Sequence, residues 1–316
     1  MRLAAIDLGS NAARLLVVKV LAHEGANPDW KAIEYIRVPV RLGDDVFLTG
    51  KVGALRRQQL LETMKGFGYL LKAYEVDHCL ACATSALREA NNGSEIIEAI
   101  HRDAGIAMEL ISGSREAELI YKAHRSLAGP EDQLVLMDVG GGSTEISLIQ
   151  GQRSILSKSF ALGAVRLLDQ TDREHDWKAF KDFVKGELLP FKPSAFWGSG
   201  GNINKVFDLL RPGKGEPCSF KQLDKLYEQL LPMSPAQRAE HYGLNEDRAD
   251  VIVPALRLFL WVMKQADFGK LHNSKLGLKE GMIVQLLENY WQGEFSPRAG
   301  WGPGPLSDTT HLSTAE

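Results

Sequence analysis

Two copies of one short pattern, 131 residues apart, constrain this chain more than any other feature of its sequence. The first copy, residues 4–11, reads Ala-Ala-Ile-Asp-Leu-Gly-Ser-Asn, and the second, residues 135–144, reads Val-Leu-Met-Asp-Val-Gly-Gly-Gly-Ser-Thr. Each has an apolar stretch with an aspartate near its end, then glycine and small polar residues, and then a second apolar stretch. This pattern is typical of two strands joined by a tight turn, and its repetition predicts two similar domains.

The glycine-rich turns predict an anion-binding site. Glycine has no side chain, so the backbone N–H groups of such a turn can approach a phosphate closely, and neighbouring hydroxyls add further donors. Two turns facing one another would hold a phosphate chain from both sides. A single turn would be weak evidence, because ordinary hairpins use the same residues. The sequence contains no GxxxxGK[ST] and no GxGxxG motif, which excludes the P-loop and Rossmann classes.

Length and charge limit the possible classes of protein. The 316 residues suffice for two domains of ordinary size. The chain has 37 Lys and Arg against 40 Asp and Glu, a net charge of -3, which argues against nucleic-acid and membrane-surface partners. It contains no apolar run of about 18 residues, so no transmembrane helix is expected. Without a secretory signal or a disulfide framework, the expected location is the cytoplasm.

The cysteines and histidines show no metal-binding pattern. Cys79 and Cys82 form a CxxC pair, but it lies inside an apolar stretch that predicts a buried strand. No second Cys or His pair is present to complete a zinc site. We therefore interpret the cysteines as small core residues rather than redox or zinc-binding groups, since free cysteine is often buried.

The first 127 residues alternate between strand and helix patterns, which favours an α/β layer fold. They are predicted to form the N-terminal domain. The predicted elements are a β-hairpin over residues 3–20, strands at 33–40, 77–83 and 107–111, and helices at 55–74, 94–103 (with Ser94 as N-cap) and 114–127.

A Gly-Pro-Glu-Asp turn at residues 129–132 breaks the chain before a second, more helical half. Residues 128–293 are predicted to form the C-terminal domain, and the Gly-, Pro-, Ser- and Thr-rich residues 294–316 a flexible tail. Pro254 predicts either a kink or a first helical turn at its position. The predicted elements are a hairpin over residues 134–149 and helices at 163–170, 176–188, 202–210, 220–231, 246–266 and 279–292.

Several stretches together resemble the exopolyphosphatase/guanosine pentaphosphatase family, in family order over about 280 residues. The length resembles the short, two-domain members. The resemblance implies two actin-like (ribonuclease H-like) α/β domains of the sugar kinase/heat-shock ATPase superfold, with a cleft between them. The matching stretches are residues 7–11 with Arg14, 83–90, 111–117 with 119–121, 138–145, 162–166, 198–201 and 279–281.

The resemblance implies an enzyme that hydrolyses the terminal phosphate of linear inorganic polyphosphate, with Glu116 as the base that activates water. By itself, Glu116 is a carboxylate in the first turn of a predicted helix, where it complements the helix dipole. That position is expected to lower its pKa and keep it ionised. The family usually has two consecutive acids here, whereas this chain has Arg115 followed by Glu116, which puts substrate preference in question.

The resemblance also implies a divalent metal ion, Mg²⁺ or another, because carboxylate oxygens suit Mg²⁺ and Mg²⁺ binds phosphates. Asp138 and Glu145 would hold the ion, Glu145 would also help to orient the catalytic water, and Asp7 would act similarly. Arg166 is a further candidate for phosphate binding, and Lys205, Lys214 and Lys221 are weaker ones. The predicted phosphate-binding residues are Ser10, Asn11, Arg14, Arg88, Gly140, Gly141, Gly142, Ser143, Thr144, Gly200 and Gly201.

Other functions remain open at this point. Guanosine pentaphosphate could be the substrate of the same chemistry. A kinase of the same superfold would need an adenosine pocket and an acceptor-activating aspartate, neither of which can be placed in the sequence. A non-catalytic sensor of polyphosphate or nucleotide is a third class, against which the presence of Glu116, Asp138 and Glu145 argues. Helical domains of this size often form homodimers, but no surface pattern decides the question.

Overall fold

The structure is a computed structural model that describes residues 1–21, 29–129 and 132–293. These residues form two mixed β-sheets with helices packed on them, the α/β arrangement that the sequence predicts. None of the helices in this part of the chain combines the length and apolarity needed to cross a membrane. The predicted tail, residues 294–316, lies outside the described residues.

The first sheet has five strands in the order β3-β2-β1-β4-β5. Strands β1, β2 and β3 form an antiparallel meander, and β4 and β5 continue from β1 in parallel. The elements of this half are β1 (Arg2–Leu8), β2 (Ala13–Leu21), β3 (Asp29–Val38), α1 (Leu42–Thr49), α2 (Ala54–Ala73), β4 (His78–Ala83), α3 (Ser85–Glu89), α4 (Gly93–Ala104), β5 (Met108–Leu110) and α5 (Gly113–His124).

The second sheet has six strands in the order β10-β11-β9-β6-β7-β8. The first elements of this half are β6 (Gln133–Val139), β7 (Thr144–Gln150), β8 (Arg153–Phe160), α6 (Ala164–Leu168), α7 (Glu174–Asp182) with a π-helical turn at Phe183–Leu188 and a 3₁₀ turn at Leu189–Phe191, β9 (Ala195–Ser199) and α8 (Gly200–Leu210). They are followed by β10 (Cys218–Ser219), α9 (Phe220–Leu230), α10 (Pro235–Tyr242), α11 (Glu246–Ala249), α12 (Ile252–Ala266), β11 (Lys270–Asn273) and α13 (Leu278–Trp291).

The two sheets repeat one topology, an antiparallel meander followed by two parallel strands. The repeat extends to the pairing of individual residues across neighbouring strands. Asp7 on β1 lies opposite Arg14 on β2, and Asp138 on β6 lies opposite Glu145 on β7. This duplication confirms the predicted class of two actin-like domains, because each Asp-containing turn occupies the same place in its own sheet.

Helix α13 follows the second sheet in the chain but packs against the first. Its buried residues Met282 and Ile283 share one apolar cluster with Leu3 on β1 and Leu119 on α5. Leu136 on β6 belongs to the same cluster, which therefore joins the two sheets. The domain boundary after residue 127 stays a prediction, and α13 shows that the packing does not follow the chain order.

Local predictions differ from the structure mainly where helices begin and where strands are short. Asn92, and not Ser94, is the N-cap of α4. The helix predicted over residues 246–266 is divided into α11 and α12, and Pro254 lies in the first turn of α12, where its missing N–H costs nothing. Strands β8, β9, β10 and β11 and helices α1, α3 and α10, each of eight residues or fewer, were not predicted, because segments of this length carry little periodicity.

The cysteines occupy the core positions that the sequence predicts. Cys82 and Cys218 are buried, Cys79 is half-buried, and all three are free. Burial raises the pKa of Cys79 to about 12. The thiol is therefore protonated at neutral pH and unsuited to redox chemistry, which requires a thiolate.

Candidate active site

Two glycine turns with the same internal hydrogen bond line one cleft. Between β1 and β2, the N–H of Gly9 donates to the carbonyl of Ala12 at 3.1 Å. Between β6 and β7, the N–H of Gly140 donates to the carbonyl of Ser143 at 2.9 Å. Gly9, Gly140 and Ser143 all line this cleft. The repeated sequence pattern therefore folds into two matching turns on one concave surface.

The two turns lie against each other, and only glycine fits at their contact. A Cβ atom at Gly141 would be 3.0 Å from the Cβ of Ser10. One at Gly142 would be 2.4 Å from both the Phe47 ring and the Oγ of Ser85. Ser10 and Ser85 share a hydrogen bond of 2.8 Å between their hydroxyl oxygens. Larger residues at Gly141 or Gly142 would push the turns apart.

Glu116 enters the cleft from the first turn of α5. Ser112 is the N-cap, and its hydroxyl accepts a hydrogen bond from the N–H of Arg115 at 3.1 Å. This cap begins the helix so that Glu116 lines the cleft with only 8% of its surface exposed. Among the residues that the structure describes, the carboxylate oxygen Oε2 has no hydrogen-bond partner, and the Nη1 of Arg88 is 3.7 Å from it. A buried acceptor of this kind is suited to take a proton from a small molecule in the cleft.

The expectation that the helix terminus lowers the pKa of Glu116 is wrong. Burial and the neighbouring carboxylates Glu145, Asp7 and Asp138 raise that pKa well above its ordinary value, although Arg88 opposes the rise. Desolvation and like charges in a low-dielectric site exceed the partial charge of one helix end. A raised pKa brings the group closer to neutral pH, where a general base works best.

Glu145 and Asp138, which face each other across β6 and β7, form the second part of the acidic cluster. Glu145 accepts a hydrogen bond from the hydroxyl of Ser159 at 2.7 Å, and burial raises its pKa to about 7. A Cβ at Gly113, the first residue of α5, would be 2.5 Å from the same hydroxyl. The start of α5 therefore lies against Ser159, which brings Glu116 within electrostatic range of Glu145.

Asp138 is held from the neighbouring strand. It accepts a hydrogen bond from the hydroxyl of Ser199 at the end of β9. Burial raises the pKa of Asp138, while the Ser199 bond and Arg14 lower it. Gly200 follows with φ of +89°, and a Cβ there would be 2.6 Å from the Oδ1 of Asp138. The glycine allows α8 to begin directly against this carboxylate.

The predicted arginines occupy two different environments. The Nη1 of Arg14 donates to the Oδ2 of Asp7 at 2.5 Å, and both residues line the cleft. The Nη1 of Arg88 donates to the carbonyl of Ile111 at 2.8 Å and faces Glu116, but Arg88 does not itself line the cleft. Arg14 is thus placed for direct contact with a ligand, and Arg88 is placed beside the buried carboxylate.

Most of the predicted site residues line the cleft, and some of the others support its walls. Thr144 donates its hydroxyl to the carbonyl of Leu162 and is fully buried. Arg166 donates to the carbonyl of Gly142 at 2.7 Å and supports the second turn from behind. The predicted residues that line the cleft are Asp7, Ser10, Asn11, Arg14, Glu116, Asp138, Gly140, Gly141, Ser143, Gly200 and Gly201, whereas Arg88, Gly142, Thr144, Glu145, Arg166, Lys205, Lys214 and Lys221 do not.

Seven polar residues in the cleft were not predicted as site residues, namely Tyr35, Thr84, Ser85, Asn202, Asn204, Arg248 and Lys279. Arg248 donates to the Oδ1 of Asn202 at 3.3 Å, and burial together with Arg37 and Arg14 lowers its pKa to about 10. Lys279 lies over the ring of Tyr35, 5.1 Å from its centroid. Residues 279–281 belong to the stretches that resemble the family, so the sequence could have indicated Lys279 as a site residue. Arg248 lies in the short helix α11, which has no recognisable pattern.

No preformed metal site is present in residues 1–21, 29–129 and 132–293, where no group of three or more His, Cys, Asp or Glu side chains could hold an ion. The predicted trio of Asp7, Asp138 and Glu145 is therefore not such a group. Mg²⁺ in phosphate-handling sites needs only one or two carboxylates, because substrate oxygens and water complete its shell. The hard oxygens of Asp138 and Glu145 fit an ion bound in that way.

Two actin-like sheets with matching glycine turns on one cleft define an α/β protein of the actin-like superfold. A family model described as the Ppx/GppA phosphatase family matches residues 19–192 and 200–290. The chain belongs to the Ppx/GppA phosphatase family.

Relatives with known names and structures agree in length and fold. Exopolyphosphatase 1 of Mycobacterium tuberculosis is 26% identical over 316 residues, which cover 93% of this chain and 90% of that protein. The crystal structure of an exopolyphosphatase from Cytophaga hutchinsonii has a TM-score of 0.79 at 26% identity and covers 92% of this chain and 98% of that chain. The crystal structure of the Aquifex aeolicus Ppx/GppA family member has a TM-score of 0.73 at 26% identity with the same coverage.

Proposed function

We propose that this protein is an exopolyphosphatase, which removes the terminal phosphate from linear inorganic polyphosphate. The observation that carries the proposal is the buried Oε2 of Glu116, which lacks a hydrogen-bond partner in the described part of the chain and lies on a cleft lined by two glycine turns. The relatives described as exopolyphosphatases, matched over nearly their whole length, support this substrate class. The predicted cytoplasmic location and homodimer stay predictions.

The two turns would bind the phosphate chain from both walls of the cleft. The backbone N–H of Gly141 and the side chains of Ser10, Asn11 and Ser143 supply donors, while the N–H of Gly140 is used within the turn. Arg14 supplies a guanidinium, which suits phosphate oxygens because it can donate two parallel hydrogen bonds. Gly200 and Gly201, at the N-terminus of α8, would bind phosphate with their backbone N–H groups.

Glu116 would act as the general base. Its carboxylate accepts a proton from water as the water oxygen forms a bond to the terminal phosphorus. The bond from that phosphorus to the bridging oxygen breaks, and the electron pair leaves with the shortened chain. Arg88, whose Nη1 lies 3.7 Å from Glu116, favours the charged carboxylate that the step requires and partly opposes the rise of its pKa.

Asp138 and Glu145 would hold a divalent ion, Mg²⁺ or another, with Asp7 contributing from the first turn. When bound, the ion neutralises charge on the phosphate oxygens. Asp7 is paired with Arg14, and Asp138 is oriented by Ser199, so both carboxylates are fixed before a ligand arrives. The raised pKa values of Asp138 and Glu145 indicate carboxylates in need of positive charge.

The test is phosphate release by wild type, Glu116→Gln and Glu118→Gln from polyphosphates of graded length and from guanosine pentaphosphate, with Mg²⁺ and with EDTA. Glu118 is an exposed residue on the same helix and serves as the matched control. We expect Glu116→Gln to lower kcat by about 10²–10⁴-fold, the usual contribution of a general base, and Glu118→Gln to keep it. Near-normal turnover by folded Glu116→Gln excludes the assigned base, and wild-type activity on the nucleotide alone excludes polyphosphate as the substrate.

A further inference from the structure

The active-site helix α5 has a second buried polar side chain, at its other end. His124, the last residue of α5, is completely buried, with 0% of its surface exposed. It does not line the cleft. A buried imidazole needs hydrogen-bond partners for both ring nitrogens. The partners of His124 therefore show which parts of the structure the ring links.

The two partners determine the tautomer of the ring. Nδ1 is 2.6 Å from the carbonyl oxygen of Ile120. Because a carbonyl only accepts, Nδ1 carries the proton and donates it. Nε2 is 2.6 Å from the Oγ of Ser274, so the neutral ring accepts the hydroxyl proton there. Burial lowers the pKa of His124 to about 4, which keeps the ring neutral.

Ser274 lies in the connection between β11 and α13. Its hydroxyl oxygen also accepts a hydrogen bond from the N–H of Leu276 at 3.1 Å. The hydroxyl thus donates to α5 and accepts from its own loop. Leu276 and Gly277 of this loop line the cleft, and Leu278 and Lys279, the first two residues of α13, continue that lining.

The same loop reaches the second aspartate. The carbonyl of Leu276 is 3.2 Å from the Oγ of Ser199, the hydroxyl that donates to the Oδ2 of Asp138. The hydroxyl of Ser199 has a single proton, and the carbonyl of Leu276 is a second possible acceptor for it besides Asp138. The position of the Leu276 carbonyl therefore affects how Ser199 holds Asp138.

We propose that His124 is a positioning residue, which ties the helix carrying Glu116 to the loop that supports Asp138 and presents Lys279. The inference rests on the proposed function. The tie sets the distance between the base on one wall and the phosphate- and metal-binding groups on the other. Without it, each wall still binds, but the water and the phosphorus are no longer held in line.

The expected effect is on turnover more than on binding. A misplacement of about 1 Å in a reacting geometry can cost about 10²-fold in rate. We therefore expect His124→Leu to lower kcat by about 10–100-fold and to leave the KM for polyphosphate within about twofold. His124→Gln should recover much of kcat, because the side-chain amide oxygen of Gln can accept from Ser274 while His124→Leu offers no acceptor.

The experiment measures kcat, KM and thermal unfolding of wild type, His124→Leu, His124→Gln, Ser274→Ala and the double variant His124→Leu/Ser274→Ala. His101→Leu, at an exposed position on α4, is the matched control and should leave kcat unchanged. Ser274→Ala removes one oxygen and keeps the packing, so it decides the question if His124→Leu does not fold. We expect the double variant to be no slower than His124→Leu, because both changes break one contact.

Several results would overturn the inference. Turnover within twofold of wild type for Ser274→Ala and His124→Leu would do so, as would a change in KM alone or multiplying effects in the double variant. Equal loss of kcat in His124→Gln and His124→Leu would also count against the hydrogen bond. A wild-type protein that releases no phosphate from any substrate would instead refute the proposed function, so the two failures are distinguishable.

Discussion

At the scale of single residues, the cleft gathers negative charge where the substrate is also negative. Glu116 and Glu145 are buried, Asp138 beside them is half-buried, and each of the three has a raised pKa chiefly because desolvation disfavours its charged form. Arg14 and Arg88 oppose this effect only in part. Such a cluster costs stability in the free protein and is suited to bind a cation together with its anionic ligand.

Removal of the Glu145 charge should stabilise the free protein at neutral and higher pH. The folded-state pKa is about 7 against an ordinary value of 4.5. Below pH 4.5 both states hold the proton. As pH rises towards 7, the unfolded chain releases it first, so the stability that the bound proton contributes is lost. Glu145→Gln has no such proton to lose. The amount by which its free energy of unfolding exceeds that of wild type should therefore grow by about 2 kcal/mol between pH 5 and 8.

Urea unfolding of both proteins in EDTA at each pH measures this difference. Glu118→Gln, a change of the same type at an exposed position, should track wild type across the range. A difference between Glu145→Gln and wild type that shrinks as pH rises would contradict the prediction, because it would mean that Glu145 is better charged when folded.

At the scale of elements, the crossing of α5 and α13 sets the position of the proposed base. The two helices approach so closely at Gly281 that a Cβ there would be 1.8 Å from the carbonyl oxygen of Leu119. Lys122 on α5 and Glu288 on α13 add an ion pair of 2.5 Å along the same contact. Because α13 begins beside Lys279 and α5 begins beside Glu116, their packing joins two parts of the cleft.

Gly281→Ala should therefore push the helices apart. The obstacle is backbone, which cannot rotate away, so we expect a loss of about 2–3 kcal/mol in the free energy of unfolding together with lower kcat. Chemical denaturation and phosphate release measure the two effects. The control is Gly66→Ala in the exposed part of α2, where no atom of the described residues lies within 4 Å of the new Cβ. That change should stabilise by about 0.5–1 kcal/mol, and equal effects at both sites would refute the close contact.

At the scale of the whole molecule, charged contacts join the first half of the chain to α11 and the residue after it. Arg41 and Asp250 form an ion pair of 2.6 Å, and Arg37 pairs with Asp247. The side-chain amide of Asn11, in the first glycine turn, donates to the carbonyl of Asp247 at 2.9 Å. Arg248 lies between the two aspartates and lines the cleft, so these contacts hold its segment against the other half.

Asp250→Asn should loosen this connection. The change removes the charge that faces Arg41 in a mostly buried pair, and we expect a loss of about 1–2 kcal/mol in unfolding free energy. Asp182→Asn is the control, since its pair with Lys178 is exposed and worth less than about 0.5 kcal/mol. Urea unfolding compares the two variants. Similar losses would show that the pair between Arg41 and Asp250 stabilises the fold no more than the exposed pair does.

The sequence predicted the elements that carry their own periodicity. The helix predicted over residues 55–74 is α2, Ala54–Ala73, and the hairpin predicted over residues 134–149 is β6 and β7. Short strands such as β9 and β11 were not predicted, since they owe their conformation to neighbours in the sheet. Likewise, no local sequence pattern predicted that α13 packs against the first sheet.

The sequence by itself determined that the chain has two glycine turns, each after an aspartate and between two apolar strands, because those features depend on neighbouring residues and on the absence of a Cβ. Only the tertiary structure decided the electrostatics. Contacts between residues far apart in the chain bury Glu116 among other carboxylates, bring Arg248 into the cleft and place His124 on Ser274. A pKa depends on solvent and charge in three dimensions, so the local helix end predicted its direction wrongly.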